Sequence, residues 1–221
     1  MLVGLAWKAL RKARPQSRII TGTSATIAIM LVLVLGASTI YYSRFWANNQ
    51  VLYGRAITVA PNNNLAVNNY AGLRVARGDY AGAIPFYASI LARDNNSWLA
   101  NFNLGHCFYK LGRLNDAERY LQRAAAIDVT LPDPFLYLGL VRMKSGRIAE
   151  AESEFRRALA LRPDGRGYHF ALGMALKLQG ALVEARREFQ LELVNNPGAA
   201  AARAQIAEID SHSDTNPLPQ K

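Results

Sequence analysis

Gly78, Gly112, Gly146 and Gly180 stand 34 residues apart. That interval restricts the chain more than any other feature, because a fixed period of this length marks stacked copies of one small supersecondary unit. Ala83, Ala117, Ala151 and Ala185 keep the same register, as do Tyr87, Leu121, Phe155 and Phe189. Around each glycine the apolar spacing reads as two short amphipathic helices. Glycine suits the join, because a helix that stops and doubles back often ends on a residue with positive φ.

Registered on these glycines, the units cover 64–97, 98–131, 132–165 and 166–199. Tyr70, Leu104, Leu138 and Leu172 mark the buried stripe of the first helices, and Ala71, Gly105, Gly139 and Gly173 follow them. Small residues there allow the second helix to approach closely. The second helices are expected to bury Tyr80/Ala83/Tyr87, Leu114/Ala117/Leu121, Ile148/Ala151/Phe155 and Leu182/Ala185/Phe189. Three features break the pattern. Pro85 falls inside a second helix, where it should kink or delay it. Glu192 takes a place held by Ile90, Ala124 and Ala158, and Val129 stands where Pro163 and Pro197 end other units. Four in-register copies resemble the tetratricopeptide repeat (TPR), which implies an all-α solenoid of helical hairpins. Two flanks extend it. Residues 43–63 read as a half-repeat helix and linker, with Tyr53, Ala56 and Pro61 in register. Residues 199–210 read as an Ala-rich capping helix, and 211–221 as a polar, disordered tail.

The net charge of +10 invites a nucleic-acid reading until it is divided. Residues 1–63 carry seven Lys or Arg and no acid, whereas 19 basic and 16 acidic residues leave the remainder only +3. Residues 1–18 read as a basic amphipathic segment on a membrane surface. Residues 19–42 hold 24 uncharged positions, enough for the roughly 20 of a membrane span. Tyr41, Tyr42, Phe45 and Trp46 form an aromatic belt at its end. Five basic residues precede the span and only Arg44 follows closely, which keeps the N-terminus cytoplasmic and places the repeats outside, on the periplasmic side of a bacterial inner membrane. Gly36-Ala37-Ser38 offers a signal-peptidase alternative, and the basic, acid-free front a mitochondrial presequence. The apolar continuation through Tyr42 favours an uncleaved single-pass anchor.

No catalytic, cofactor-binding or metal-binding pattern is present, so the chain reads as a non-enzyme without a cofactor. His106, His169 and His212 are dispersed, with His169 read as packed or half-buried, and the single cysteine, Cys107, reads as a small core residue. The promising surface is the face of the first helices opposite their packing stripe. Stacking lines up Asn69, Phe102, Asn103, His106, Tyr109, Lys110, Tyr137, Leu140, Met143, Lys144, Phe170, Met174 and Lys177 along one concave wall. Its aromatic, Met and Leu side chains suit apolar side chains of a peptide or helix. Asn69 and Asn103 suit its backbone, and the three lysines favour an acidic partner. The TPR clamp for a C-terminal carboxylate needs basic residues where this chain has Asp133 and Tyr137, so the resemblance does not carry that ligand over. Arg119, Arg123, Arg156, Arg157, Arg186 and Arg187 lie near acids on the second helices. They read as a solvated, ion-paired face, not a nucleic-acid surface.

The expected function is therefore a membrane-anchored scaffold for protein–protein interaction on the extracytoplasmic side, within a membrane complex or by self-association. The run 41–69 also resembles the junction before the TPRs of membrane O-mannosyltransferase-type glycosyltransferases. The multi-span catalytic part of such enzymes has no counterpart here. What the resemblance implies is an accessory subunit or fragment that positions acceptor proteins.

Overall fold

The computed structural model describes the backbone of residues 15–46 and 49–215, with side chains over 26–41 and 49–211. Every regular element among the described residues is an α-helix. The basic segment lies outside the described residues up to position 14, as does the tail from 216. The chain divides into two units, Met1–Val59 and Ala60–Lys221.

The first unit holds α1 (Pro15–Trp46) and α2 (Asn49–Val59). Residues 43–46 continue α1 and do not open the expected half-repeat helix. Adding a residue to an existing helix costs far less than nucleating a new one. No side chain of α2 is buried. On α1 the described apolar side chains from Ile27 to Leu35 are all more than half exposed. Among the described residues no helix is long and apolar enough to cross a membrane.

The second unit is a file of four hairpins: α3 (Asn64–Ala76) with α4 (Tyr80–Arg93), α5 (Trp98–Lys110) with α6 (Leu114–Ile127), α7 (Pro132–Lys144) with α8 (Ile148–Leu161), and α9 (Tyr168–Leu178) with α10 (Leu182–Asn195). A last helix, α11 (Ala200–Thr215), follows. The recurring glycine ends each first helix. Gly146 has φ of 78° and donates to the Met143 carbonyl, while Arg147 N–H reaches back to Arg142 O at 2.9 Å. That pair of bonds is the Schellman arrangement, which satisfies carbonyls that a helix end leaves open. Helix starts are fixed locally where the chain allows: Asn63 Oδ1 accepts from Ala66 N–H, and Asp79 Oδ1 from Gly82 N–H. Pro85 neither delays nor interrupts α4, which begins at Tyr80 and runs through it.

Within a hairpin the small residues bring the helices close. A Cβ added at Gly139 would fall 2.3 Å from the Phe155 ring, and one at Gly105 2.6 Å from Leu121. Ala83, Ala117, Ala151 and Ala185 are fully buried. The first residues of the second helices were expected in the core and are not: Tyr80, Leu114 and Ile148 are half-buried, and Leu182 is exposed. They occupy the first turn, where the helix enters from the solvent side. Each second helix packs on its own partner and on the first helix of the next hairpin. First helices of adjacent hairpins also touch, α5 with α7 and α7 with α9, so they line the inner wall.

Charged residues tie the middle hairpins together. Arg147 and Arg142 both bond Glu118 of the preceding hairpin, and Arg142 Nη1 reaches the buried Glu154 at 2.8 Å. The Arg147 hydrogen bond, with Arg142 adding, holds the Glu118 carboxyl below its ordinary value of 4.5. A carboxylate with a depressed folded pKa stabilises above its unfolded value and loses that contribution as pH falls through the folded one. Urea midpoints should therefore fall below about pH 4.5, and the fall should be shallower in Glu118→Gln. An identical acid limb in the variant would remove Glu118 from the account.

The last helix stands in register with the first helices and continues five residues beyond the expected end at 210, so the tail is helical to Thr215. Ala202 and Ile209 are buried against α10. Arg186, expected to pair along its own helix, instead bonds Asp210 of α11 at 2.7 Å.

Candidate functional site

The inner wall gathers its side chains from α3, α5, α7 and α9, along about two turns of each of the last three at matching registers. Its centre is Tyr137. Phe102, His106 and Tyr109 approach that ring edge-on at 5.5, 5.0 and 5.9 Å between centroids. Tyr80 extends the cluster by meeting His106 at 5.9 Å. Edge-to-face contacts suit aromatic quadrupoles and keep ring faces available. Phe102, His106, Tyr109 and Tyr137 are half-buried. The wall is thus a packed surface with its outer atoms open to solvent.

Burial among these rings, with Lys110 nearby, lowers the His106 pKa below its ordinary 6.5. The imidazole is neutral at pH 7. Burial likewise raises the Tyr109 and Tyr137 hydroxyls, for Tyr137 with Asp133 adding. Lys144 Nζ stands 5.6 Å from the Tyr109 ring centroid, a cation–π contact that leaves the ammonium exposed. Lys110 and Lys144 are both exposed, and among the described residues neither is paired with a carboxylate.

Beyond the cluster the wall becomes aliphatic. Leu140 and Met143 of α7 sit beside Phe170 and Met174 of α9, all half-buried against the core of the last two hairpins. Two wall residues are already engaged. Lys177 bonds Gln205 Oε1 at 2.7 Å and Glu208 Oε2 at 2.6 Å, so its charge is neutralised by α11 and not held for a ligand. Asn103 Nδ2 donates to Asn68 Oδ1 at 3.2 Å, which leaves fewer of its groups for a partner's backbone, while Asn69 is half-buried on the same wall.

Sequence reasoning missed Tyr80, assigned to the core, and Gln205 and Glu208, which extend the wall onto the capping helix. Their register was available: Gln205 and Glu208 lie 34 residues after Ala171 and Met174. His169 is half-buried, with Nδ1 2.7 Å from Glu188 Oε2 and Nε2 3.0 Å from the Pro163 carbonyl. Cys107 is fully buried and burial pushes its thiol up to about 11, so it packs as a core residue. No group of three or more metal-ligating side chains exists among the described residues.

Family models of the tetratricopeptide repeat match residues 74–134 and 136–205, together more than half of the chain. The chain is a TPR protein. Its fold is shared with several solved structures. TTC0263, a thermophilic TPR protein of Thermus thermophilus, is 23% identical with a TM-score of 0.64, over 81% of this chain and 97% of that one. YrrB, described as a TPR protein with an unusual peptide-binding site, is 22% identical with a TM-score of 0.60, over 75% and 85%. The first TPR domain of Spaghetti (RPAP3), bound to the HSP90 peptide SRMEEVD, is 20% identical with a TM-score of 0.52, over 53% and 95%. At these identities the likeness concerns fold. No curated protein sequence gives a significant match. TPR repeats of this kind act as protein-interaction scaffolds.

Proposed function

We propose that this TPR protein is a membrane-anchored scaffold that holds a partner protein on its inner wall, outside the cytoplasm. One observation carries the binding half: half-buried aromatic side chains converge on Tyr137 beside two exposed lysines that, among the described residues, have no carboxylate partner. Ring faces and the aliphatic stretch beyond them take apolar side chains, and Lys110 and Lys144 favour an acidic residue alongside. The RPAP3 domain with its HSP90 peptide and YrrB with its unusual peptide-binding site are proteins of the same fold that take peptides, which supports a peptide or protein ligand here. The test is capture of native partners by cross-linking in membranes. Tyr109→Ala with Lys144→Glu should lower capture about tenfold, the equivalent of about 1.4 kcal/mol, with helicity unchanged. Undiminished capture, or lost helicity, would remove these residues from the ligand site.

The anchoring half rests on the uncharged run 19–42 and on the solvent-facing apolar side chains of α1, such as Leu33 at 64% exposure. Over 27–35 every side of the helix is apolar, which calls for an apolar surrounding. A reporter active only in the cytoplasm, fused after Lys221, should stay silent, and the chain should resist carbonate extraction. An active reporter reverses the orientation. The alternative role, an accessory to a membrane glycosyltransferase, rests on the run 41–69 alone and would be recognised by a multi-span enzyme among the cross-linked partners.

A further inference from the structure

The three junctions between hairpins are built alike in register but not in chemistry. At the first, Asn101 donates from Nδ2 to the Asn95 carbonyl at 3.4 Å. At the third, His169, 68 residues on, holds the Pro163 carbonyl at 3.0 Å and Glu188 at 2.7 Å. In both, a polar side chain at the start of the incoming helix closes the gap to the preceding loop. The middle junction has Phe135 at that position and Val129 in the loop. Phenylalanine has no donor. Among the described residues no side chain bridges the loop there, and Val129 is 60% exposed.

An open recess of about 250 Å³ remains, lined by Ala126, Val129, Phe135, Leu138, Arg157 and the Arg142–Glu154 ion pair among others. None of the inner-wall residues lines it. It is smaller than the roughly 300–1,000 Å³ of a small-molecule cleft, and suits one large side chain. One wall is tied across two hairpins, where Arg142 is held by Glu118, Glu150 and Glu154. Its rim is held less tightly: the Arg157 side chain is 55% exposed, its guanidinium lies 4.1 Å from the Phe135 ring centroid, and its carboxylate contact to Glu154 is 3.4 Å long.

We propose that this recess is a second docking point, a socket for one tryptophan or tyrosine side chain of a partner protein. The electrostatics select the occupant. A guanidinium at the rim complements the negative face of an aromatic ring. Among the described residues the Val129 carbonyl accepts no hydrogen bond, and it complements a ring N–H or O–H at the position where Asn101 and His169 supply one in the sister junctions. The partner's ring does for the middle junction what the chain's own side chain does for its neighbours. Contact at the inner wall and at this socket would engage one partner at two separated places.

The experiment uses the full chain in detergent micelles and two probes, N-acetyltryptophanamide and N-acetylleucinamide, followed by NMR shifts of the Val129 and Phe135 amides. The tryptophan probe should saturate these shifts at millimolar concentration, and the leucine probe at least tenfold higher. Phe135→His should install the plug seen at the third junction and abolish saturation. Ala126→Phe, which fills the recess from its outer lip, should do the same without touching the buried ring. Thermal melts identify a Phe135→His variant that has lost its fold, in which case Ala126→Phe decides. Equal binding of both probes, absence of binding by either, or binding that survives Ala126→Phe would each overturn the socket.

Discussion

Phe155→Ala is expected to lower the unfolding free energy by about 3–5 kcal/mol, the range for removing a fully buried aromatic ring. Phe155 is wholly inaccessible and its ring lies over Gly139, whose missing Cβ leaves the space the ring fills. The void cannot collapse easily. Both flanking helices are fixed by their contacts to the hairpins on either side, and partial relaxation is what leaves a cavity cost on top of the lost transfer energy. In a solenoid each repeat is stabilised by its neighbours, so the loss should also loosen the interface to the fourth hairpin. Urea unfolding followed by circular dichroism should show a lower midpoint, with a shallower transition if the last hairpin unfolds separately. A change under about 1 kcal/mol would mean that the helices close over the gap after all.

The second large effect is less intuitive. Glu192→Ile makes the fourth repeat resemble the first, which has Ile90 at that place, and it should nevertheless cost about 2–4 kcal/mol, as expected when charge-assisted bonds to buried donors are lost. Glu192 is 1% exposed, and its carboxylate accepts from Gly167 N–H at 2.9 and 3.0 Å and from Phe170 N–H at 3.4 Å. These are the open donors at the start of α9. Its cap position is Gly167, at φ of 83° and without a side chain to serve them. A negative group there also meets the positive end of the helix dipole. Glu192→Gln keeps an acceptor and should cost about half as much. Equal stability of Glu192→Ile and the wild type, measured by urea unfolding at pH 7, would refute the capping role.

Glu192 shows how far the sequence could be read. Its position in the repeat was evident, and so was its disagreement with Ile90, Ala124 and Ala158. The reason was not, because the groups it serves lie 22 and 25 residues away on another helix. Lys177 is a similar case. Its place on the inner wall followed from register, whereas its neutralisation by Glu208 depends on α11 docking as one more first helix. The aromatic wall was legible in outline: Phe102, His106, Tyr109 and Tyr137 were all placed on one face by spacing alone. Their convergence on a single ring required the actual separation and rotation of α5 and α7, to which the period is blind. Tyr80 was misplaced for the same reason, since its register puts it near the core while the helix entry tilts it outward to His106.

The sequence by itself determined the repeat, its four copies, the glycine turns and the small-to-large pairing that sets how closely the helices approach. These depend on local backbone geometry and on a period that recurs, and both are written in consecutive residues. Only the tertiary structure decided which polar groups are engaged between hairpins, which of the wall's cations remain without a carboxylate, and which junction stays open. Those outcomes depend on distances of a few ångströms between helices that the chain brings together from far apart.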